Sequence, residues 1–139
     1  MEISCGTILF SRINDTVHYV LLRAEDGYCG FPKGHVEAGE TEQETALRET
    51  WEETSVRAHI LHDFREVDQY RMPNGIVKRV IYFAAAFSDQ TPAHNPGFES
   101  YEILLLPFEE AVSALTFENA KTILTKADTF IRCRLGKIR

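Results

Sequence analysis

A segment near the middle of the chain places carboxylates at fixed intervals behind a glycine. Five residues separate the glycine from the first glutamate of the pattern. Seven more precede an arginine, which three further glutamates follow. In order, these residues are Gly34, Glu40, Arg48, Glu49, Glu52 and Glu53. Magnesium binds carboxylate and carbonyl oxygens and keeps several of its waters. The pattern therefore predicts a divalent-metal site that could support cleavage of phosphoanhydride bonds.

The last three glutamates are expected on one face of a helix. Thr41 is a good N-cap and Glu44 can return its hydrogen bond in a capping box, so the helix should begin at Glu42. With 100° of rotation per residue, these glutamates fall within about a 100° arc. The residues expected to face the core lie opposite them and are Leu47, Trp51 and Thr54.

Electrostatics distinguishes a metal site from an ordinary acidic surface. Glu49 lies three positions before Glu52 and four before Glu53, and each like-charge pair destabilises an isolated helix by about 0.2–0.5 kcal/mol. Carboxylates in the last turn also oppose the helix dipole. A solvated acidic face is the usual explanation of a charge run. A divalent cation would turn these repulsions into attractions. Because several fixed residue types over a long window rarely coincide, the glycine and the arginine in register with the glutamates favour metal binding.

The segment resembles the box of the Nudix hydrolase family, whose pattern is Gly, five residues, Glu, seven residues, Arg-Glu, an aliphatic residue, any residue, Glu-Glu, any residue, Gly and an aliphatic residue. The matching residues are Gly34, Glu40, Arg48, Glu49, Glu52, Glu53 and Val56. Thr50 stands in place of the first aliphatic residue, and Ser55 in place of the last glycine. Ser55 lies where helices often end in a left-handed residue, a conformation that costs a non-glycine residue about 1–2 kcal/mol.

Within that family, the string from Phe31 to Glu37 looks like the PKGHVE-x-GE segment of the asymmetrical diadenosine tetraphosphate hydrolases, and Thr50 is a feature shared with that subgroup. Weaker parallels extend over most of the chain. The resemblance implies an α+β fold of the Nudix type, an α/β/α sandwich with a mixed β-sheet. It also implies metal-dependent hydrolysis of diadenosine tetraphosphate to ATP and AMP.

The resemblance also implies the ligands and the chemistry of the metal site. Two or more Mg²⁺ ions, which Mn²⁺ could replace, would be held by the carbonyl of Gly34 and by Glu49, Glu52 and Glu53. These three glutamates are the predicted catalytic residues. Glu52 or Glu53 would take a proton from the attacking water, and the sequence leaves open which of them is the base.

Three other charged residues are assigned supporting roles. Glu99 matches an acidic residue that helps to hold metal or to position water in the resembling enzymes, and it is preferred over its neighbour Glu102. Glu40 and Arg48 are expected to pair with each other and to fix the loop on the helix rather than to touch substrate.

Substrate contacts follow from the same resemblance. Lys33 and His35 would contact the polyphosphate, and Tyr82 with Phe117 would hold an adenine between them. One such stacking contact contributes about 1–3 kcal/mol. Without the family, these two aromatic residues are more typical of a core. Further candidates flank a predicted hairpin and are Arg65, Tyr70 and Lys78.

The surrounding sequence predicts strands with one early helix and helical structure near the end. The strand-like stretches are residues 3–10, 18–24, 58–63, 64–70, 78–87 and 101–106, and the early helix is 42–54. Turns are expected at Asn14-Asp15 and at Pro73-Asn74-Gly75, and residues 91–97 read as an irregular loop. At the C-terminal end, Arg132, Arg134, Lys137 and Arg139 are expected to complement a helix terminus and a tail without a role in chemistry.

Size, charge and cysteines narrow the class of protein. The chain has 139 residues and a mass of 15.9 kDa, with 44% hydrophobic residues, so residues 1–139 are expected to form a single domain. The net charge of −6 argues against nucleic acid as a partner. Three widely spaced cysteines suggest free thiols in a reducing compartment. No apolar run suits a membrane. We therefore expect a cytoplasmic monomer whose partner is a small nucleotide.

Two alternative functions remain open at this stage. Another Nudix pyrophosphatase would act on a nucleoside triphosphate, a nucleotide sugar or an RNA 5′ end, because the box does not constrain the loops that set specificity. A non-catalytic nucleotide-binding module would be expected to lack one of the box carboxylates. All of them are present in this chain, which favours an enzyme.

Overall fold

The computed structural model describes residues 1–136. In chain order, its elements are β1 (Glu2–Ile13), β2 (Thr16–Arg23), β3 (Cys29–Gly30), β4 (Lys33–His35), α1 (Glu42–Thr54), β5 (His59–Arg71), β6 (Val77–Ala86), β7 (Glu102–Pro107), α2 (Phe108–Ala114) and α3 (Glu118–Leu135). Of the basic residues expected at the C-terminal end, Arg132 and Arg134 lie in the last turn of α3. Lys137 and Arg139 fall outside the described residues.

The strands form one mixed sheet. The main path runs in the order β3-β2-β1-β6-β5, while β4 pairs with β1 and β7 pairs with β2. β1 and β6 are parallel, with Gly6 opposite Tyr82, and the other pairs are antiparallel. Both central strands consist largely of buried residues, as expected for strands covered on both faces.

Helices cover the two faces of this sheet. On one face, Val80 and Tyr82 of β6 pack with residues of α2 and α3 in the main hydrophobic cluster. On the other face, Ile81 and Phe83 pack with Ala46 of α1. Because successive side chains of a strand point to opposite faces, the alternation along β6 separates the two layers. The predicted α/β/α sandwich is confirmed.

The buried side of α1 differs from the prediction. Leu47 and Trp51 are only half-buried, and the fully covered residues are Thr45, Ala46, Thr50 and Thr54. The Thr50 hydroxyl lies 2.7 Å from the hydroxyl of Thr7 on β1, so hydrogen bonds allow threonines to pack where an apolar side chain was expected. The expectation that Leu47 and Trp51 face the core is therefore wrong, and only Thr54 was placed correctly.

The predicted turns and caps are mostly confirmed. Thr41 and Glu44 form the capping box, and the helix begins at Glu42. Ser55 ends it in the left-handed conformation with φ of 63°. The two strands predicted for residues 58–70 form one long strand, β5, whose pairing with β6 shifts register between Ile60 and Arg65. Such a bulge bends a strand without ending it.

The three cysteines differ in their exposure. Cys5 and Cys29 are buried and Cys133 is exposed, and all three are free. Burial raises the pKa of the Cys5 thiol to about 11, so this group is uncharged at neutral pH. Within residues 1–136, no helix is both long enough and apolar enough to span a membrane.

Candidate active site

The inner end of the site lies where α1 meets the short strand β4. The backbone N–H of Lys33 donates to the Glu53 carboxylate over 2.9 Å. Next to it, Gly34 lies directly against Glu49, and a Cβ added at Gly34 would collide with that carboxyl group. Glycine is therefore required here by a close approach between backbone and carboxylate. The contact brings two of the predicted glutamates beside the predicted main-chain ligand.

Arg48 holds the segment together. Its guanidinium donates to Glu40 over 2.7 and 3.1 Å, to Glu49 over 2.9 Å and to Glu52 over 3.1 Å. It also donates to the carbonyl of His35 over 2.9 Å. The hydrogen bonds from Arg48, more than any other contact, lower the pKa of Glu40 to about 2. The structure thus places Glu40 and Arg48 in direct contact and ties both to the loop before α1.

Glu49 and Glu53, the two inner carboxylates, lie in an environment that disfavours negative charge. Burial is the main cause that raises the pKa of Glu53, to about 8, and the charge of Glu49 adds to it. The pKa of Glu49 is also raised, again mainly by burial, although Arg48 opposes the shift. Buried carboxylates are stabilised by a cation. The electrostatics of this end of the site therefore favours cation binding.

The oxygen donors present suit a hard divalent cation. They are carboxylates of Glu49, Glu52 and Glu53 with the nearby Gly34 backbone, and Mg²⁺ prefers oxygen ligands of this kind. In the part of the chain that the structure describes, no three His, Cys, Asp or Glu side chains are arranged as a metal-binding group, while Arg48 engages Glu49 and Glu52. If these two carboxylates bind an ion, they must either keep their hydrogen bonds to Arg48 while they bind it or give up those hydrogen bonds.

A loop fastened to the end of α1 carries Glu99 toward this site. The Ala93 N–H donates to the carbonyl of Thr54 over 2.9 Å, and the Asn95 side chain donates to the carbonyl of Trp51 over 2.9 Å. The Ser55 hydroxyl donates to the carbonyl of Ala93 over 3.0 Å. Glu99 is exposed, and its charge adds to the rise in the pKa of Glu53. The structure therefore brings Glu99 within electrostatic range of the inner carboxylates.

A cavity of about 490 Å³ opens beside Glu53 and Lys33. Its walls carry six aromatic residues, which are Tyr28, Phe31, Tyr70, Tyr82, Tyr101 and Phe117. Tyr82 is almost fully buried and contacts Phe31 edge to face, with ring centroids 5.2 Å apart. Phe117 is 59% exposed and stacks on Tyr28 at 5.5 Å. The volume and the apolar walls are typical of a small-molecule pocket.

Two lysines place positive charge at the boundary between the acidic end and the cavity. Burial lowers the pKa of Lys33, and the nearby ammonium of Lys78 lowers it further. Glu53 and Glu49 act in the opposite direction. Two neighbouring ammonium groups attract a multiply charged anion. This arrangement suits a phosphate chain that passes from the cavity toward the carboxylates.

The predicted substrate residues divide into two groups. Lys33, Tyr70, Tyr82 and Phe117 all line the cavity, and Lys78 lies next to Lys33. The other two predicted residues, His35 and Arg65, do not line the cavity. The side chain of His35 is 66% exposed, and its Nε2 lies 3.5 Å from Glu2. Arg65 lies on the α1 face of β5 and makes two hydrogen bonds of 2.9 Å to Glu42.

Four cavity residues with polar side chains were not singled out from the sequence. They are Tyr28, Asp68, Tyr101 and Asn119. Asp68 alone had a local signal, because it lies two residues from Tyr70 on β5 and therefore shares its face. The other three come from loops and from the start of α3, and only the folded chain brings them to the cavity.

Comparisons with known proteins agree with this geometry. The model of the NUDIX domain family matches residues 7–126. An asymmetrical bis(5′-nucleosyl)-tetraphosphatase of Rattus norvegicus is 35% identical over 139 residues, covering 92% of this chain and 94% of its own length. The corresponding enzyme of Sus scrofa is 32% identical over 142 residues, with the same coverage. A crystal structure of a C. elegans Ap4A hydrolase binary complex has a TM-score of 0.85 at 23% identity, covering 96% of this chain and 99% of that one.

Proposed function

The chain belongs to the Nudix hydrolase family, and we propose that it cleaves dinucleoside polyphosphates, with diadenosine tetraphosphate giving ATP and AMP. One observation carries the proposal: a single cavity joins the buried carboxylate end at Glu53 to a group of aromatic side chains. A nucleotide needs both parts, since its base stacks and its phosphates require cations. The 35% identical relative from Rattus norvegicus is an asymmetrical bis(5′-nucleosyl)-tetraphosphatase, which supports the same substrate.

Mg²⁺ is the proposed cofactor, and Mn²⁺ could replace it. Its ligands would be drawn from the Gly34 carbonyl, Glu49, Glu52, Glu53 and Glu99. When bound, the ion supplies charge neutralisation at the phosphates and Lewis acidity at the phosphorus. The support for this proposal is the set of oxygen donors around Glu49 and Glu53, two partly buried carboxylates whose pKa values are raised mainly by burial.

Glu53 is the proposed general base, and Glu49 and Glu52 complete the proposed catalytic set. Glu53 lines the cavity and accepts a hydrogen bond from the Lys33 N–H, whereas Glu52 is engaged by Arg48. A base must lie within reach of the water that attacks the substrate. Position in the cavity therefore favours Glu53 over Glu52. The backbone hydrogen bond holds the carboxylate in place while the proton is transferred.

Lys33 and Lys78 are the proposed contacts to the phosphate chain, and Tyr82, Phe117 and Tyr70 are the proposed contacts to a base. All but Lys78 line the cavity, and Lys78 lies against Lys33. A contact from His35 stays a prediction from the resemblance, and a contact from Arg65 stays a prediction from its positive charge beside the hairpin. Both side chains lie outside the cavity walls. Glu40 and Arg48 are proposed to maintain the loop that carries Gly34, by way of the hydrogen bonds described above.

Incubation with diadenosine tetraphosphate, Mg²⁺ and ¹⁸O-labelled water, followed by mass analysis, tests the reaction. We expect ATP and AMP, with the label on AMP. Two ADP molecules would indicate cleavage at the centre of the bridge. An absence of turnover would contradict the proposed substrate and favour another pyrophosphatase substrate or nucleotide binding without hydrolysis. A protein with Glu53→Gln serves as the matched control, because it keeps the shape of the side chain and removes its charge.

A cytoplasmic, monomeric enzyme is proposed as well. Free thiols at Cys5, Cys29 and Cys133 suit a reducing compartment, and the catalytic and cavity residues described here come from one chain. Size-exclusion chromatography with light scattering should give a mass near 15.9 kDa. A mass of twice that value would contradict the monomer.

A further inference from the structure

Asp68 and Asn119 form a polar pair in the wall of the otherwise mainly aromatic cavity. The side-chain N–H of Asn119 donates to the Asp68 carboxylate over 3.0 Å, and both residues line the cavity together with Tyr70 and Tyr82. Asp68 comes from β5 and Asn119 from the first turn of α3. The reaction proposed above makes no use of this pair.

The Asp68 carboxylate has no cationic partner among residues 1–136, although several acidic neighbours do. Glu66, two residues earlier on the same face of β5, forms an ion pair with Lys126. The charge of Asp68 acts on the cavity instead, because after burial it is the next cause that raises the pKa of both Tyr82 and Tyr70. An acceptor therefore faces the cavity beside the rings proposed to hold a base.

An ionised carboxylate accepts hydrogen bonds and cannot donate them. A base edge with an amino group donates to it, whereas an edge with a carbonyl oxygen at the same place is repelled. Adenine and hypoxanthine differ in this way, since the amino group at C6 of adenine is an oxygen in hypoxanthine. The carboxylate on the cavity wall can therefore distinguish an amino-bearing purine from its deaminated counterpart.

We propose that Asp68 recognises the exocyclic amino group of the base in the cavity and makes the protein selective for amino-bearing purine nucleotides. The proposal rests on the proposed function for the nature of the ligand and adds the basis of its selectivity. Asn119 acts as a positioning residue. Its N–H occupies one oxygen of the carboxylate and leaves the other to accept from the base.

Calorimetric titration of AMP and of IMP in the presence of Mg²⁺ tests the proposal. We expect the native protein to bind AMP about 10-fold more tightly than IMP, which corresponds to one hydrogen bond to a charged group. Asp68→Asn should abolish the preference by weakening AMP and strengthening IMP, because the amide can donate to the hypoxanthine oxygen. Asn119→Ala should reduce the preference without abolishing it.

A matched control changes the same charge outside the cavity. Asp89→Asn alters an exposed loop residue with φ of 56°, a conformation that asparagine tolerates, so the preference for AMP should be unchanged. Equal affinities of the native protein for the two nucleotides would overturn the proposal. So would an equal loss of both affinities in Asp68→Asn, or no measurable binding of either nucleotide at millimolar concentration.

Turnover of diadenosine and diinosine tetraphosphate is measured separately, so the two proposals can fail independently. A protein that hydrolyses neither compound but binds AMP selectively through Asp68 would contradict the proposed reaction and support the recognition of the amino group. A protein that hydrolyses both at equal rates, with equal binding of AMP and IMP, would support the reaction and reject the role of Asp68.

Discussion

The acidic end of the site and the aromatic cavity are built in opposite ways. Apart from Glu99, the carboxylates at the inner end, with Arg48 and Gly34, come from one run of twenty residues between positions 34 and 53. The cavity is assembled from five strands, β2 to β6, together with Glu53 of α1, the start of α3 and the loops between elements. The first region depends on helix geometry and one close backbone contact, whereas the second depends on the register of distant strands. The proposed chemistry therefore depends on local sequence, and the proposed recognition of a base depends on the fold.

The largest expected effect is at the acidic end. Glu53→Gln should reduce kcat by about 10²–10⁴-fold, the usual contribution of a general base. Folding should be retained, since removal of a buried charge does not create a cavity. Glu42→Gln, on the outer part of the same helix and paired with Arg65, is the control. A kcat within twofold of the native value in Glu53→Gln would show that this end of the site does not carry the chemistry.

The close contact at Gly34 provides the next test. Gly34→Ala should displace the Glu49 carboxyl group, which the added methyl would strike, and should reduce turnover by about 100-fold, as expected for a misplacement of about 1 Å. Thermal stability should change little, because the displaced group is the end of a flexible side chain. The comparison is Gly30→Ala in the cavity wall, where an added Cβ meets nothing within 4 Å, so kcat should be retained and any effect should fall on KM. A fully active Gly34→Ala protein would show that activity does not depend on the close approach of Gly34 to Glu49.

Arg48 supports the carboxylates without entering the cavity, so its loss should have an intermediate effect. Arg48→Ala should lower kcat by about 10–100-fold, the range seen for groups that orient metal ligands. Arg48→Lys should recover little of this loss, since an ammonium cannot reproduce the fork of hydrogen bonds to several carboxylates. Full recovery with lysine would show that charge alone is needed.

Arg48 also gives the stability a dependence on pH. The pKa of Glu40 is about 2 in the folded protein, below its ordinary value of 4.5, so Glu40 stabilises the fold above pH 4.5 and this contribution is lost as the pH falls toward 2. The difference in unfolding free energy between the native protein and Arg48→Ala should therefore shrink over this pH interval. A difference that stays constant in urea titrations between pH 5 and pH 2.5 would contradict the pairing.

The aromatic cavity should respond in KM rather than in kcat. Phe117→Ala removes an exposed ring that stacks on Tyr28, and KM for diadenosine tetraphosphate should rise about 10-fold, within the range for one stacking contact. Phe117→Tyr keeps the aromatic face and should behave like the native protein. A fall in kcat with unchanged KM would show that the aromatic cavity contributes to the chemical step and does not act through binding alone.

The smallest effect is expected at Arg65, on the opposite face of β5 from the cavity. Its pair with Glu42 is exposed, and exposed ion pairs contribute about 0–1 kcal/mol. Because Arg65 does not line the cavity, Arg65→Ala should change kcat/KM by less than about twofold, a difference below about 0.4 kcal/mol. A rise in KM of tenfold or more would show that Arg65 turns toward the phosphates when substrate binds.

These contrasts explain how far the sequence could predict the molecule. The capping box at Thr41, the start of α1 and the mixed sheet followed from local patterns, and the structure has all three. The buried face of α1 did not, because hydrophobicity favoured Leu47 and Trp51 while hydrogen-bonded threonines fill the interface. Helix patterns based on apolar residues fail where hydroxyl groups satisfy one another across a packed contact.

Strand register is the second feature that the sequence could not predict. Tyr82 and Asp68 meet in one cavity because β5 and β6 pair in the register that places Asp68 opposite Val80, and a shift by one residue would turn every side chain to the other face. The bulge between Ile60 and Arg65 had no clear local signal. Arg65 was expected near the substrate. In the structure its side chain lies on the side of the sheet that α1 covers, where it contacts Glu42.

The fastening of residues 93–95 to the end of α1 has a consequence for how the molecule fluctuates. The Ala93 amide is hydrogen-bonded to the Thr54 carbonyl, and Asn95 is largely buried, so this irregular stretch should open only when the final turn of the helix unwinds. In deuterium-exchange experiments, the Ala93 amide should accordingly exchange together with amides of that turn, not at the rate of free loop peptides. Glu99 would then be carried by a segment whose motion is linked to that of the helix.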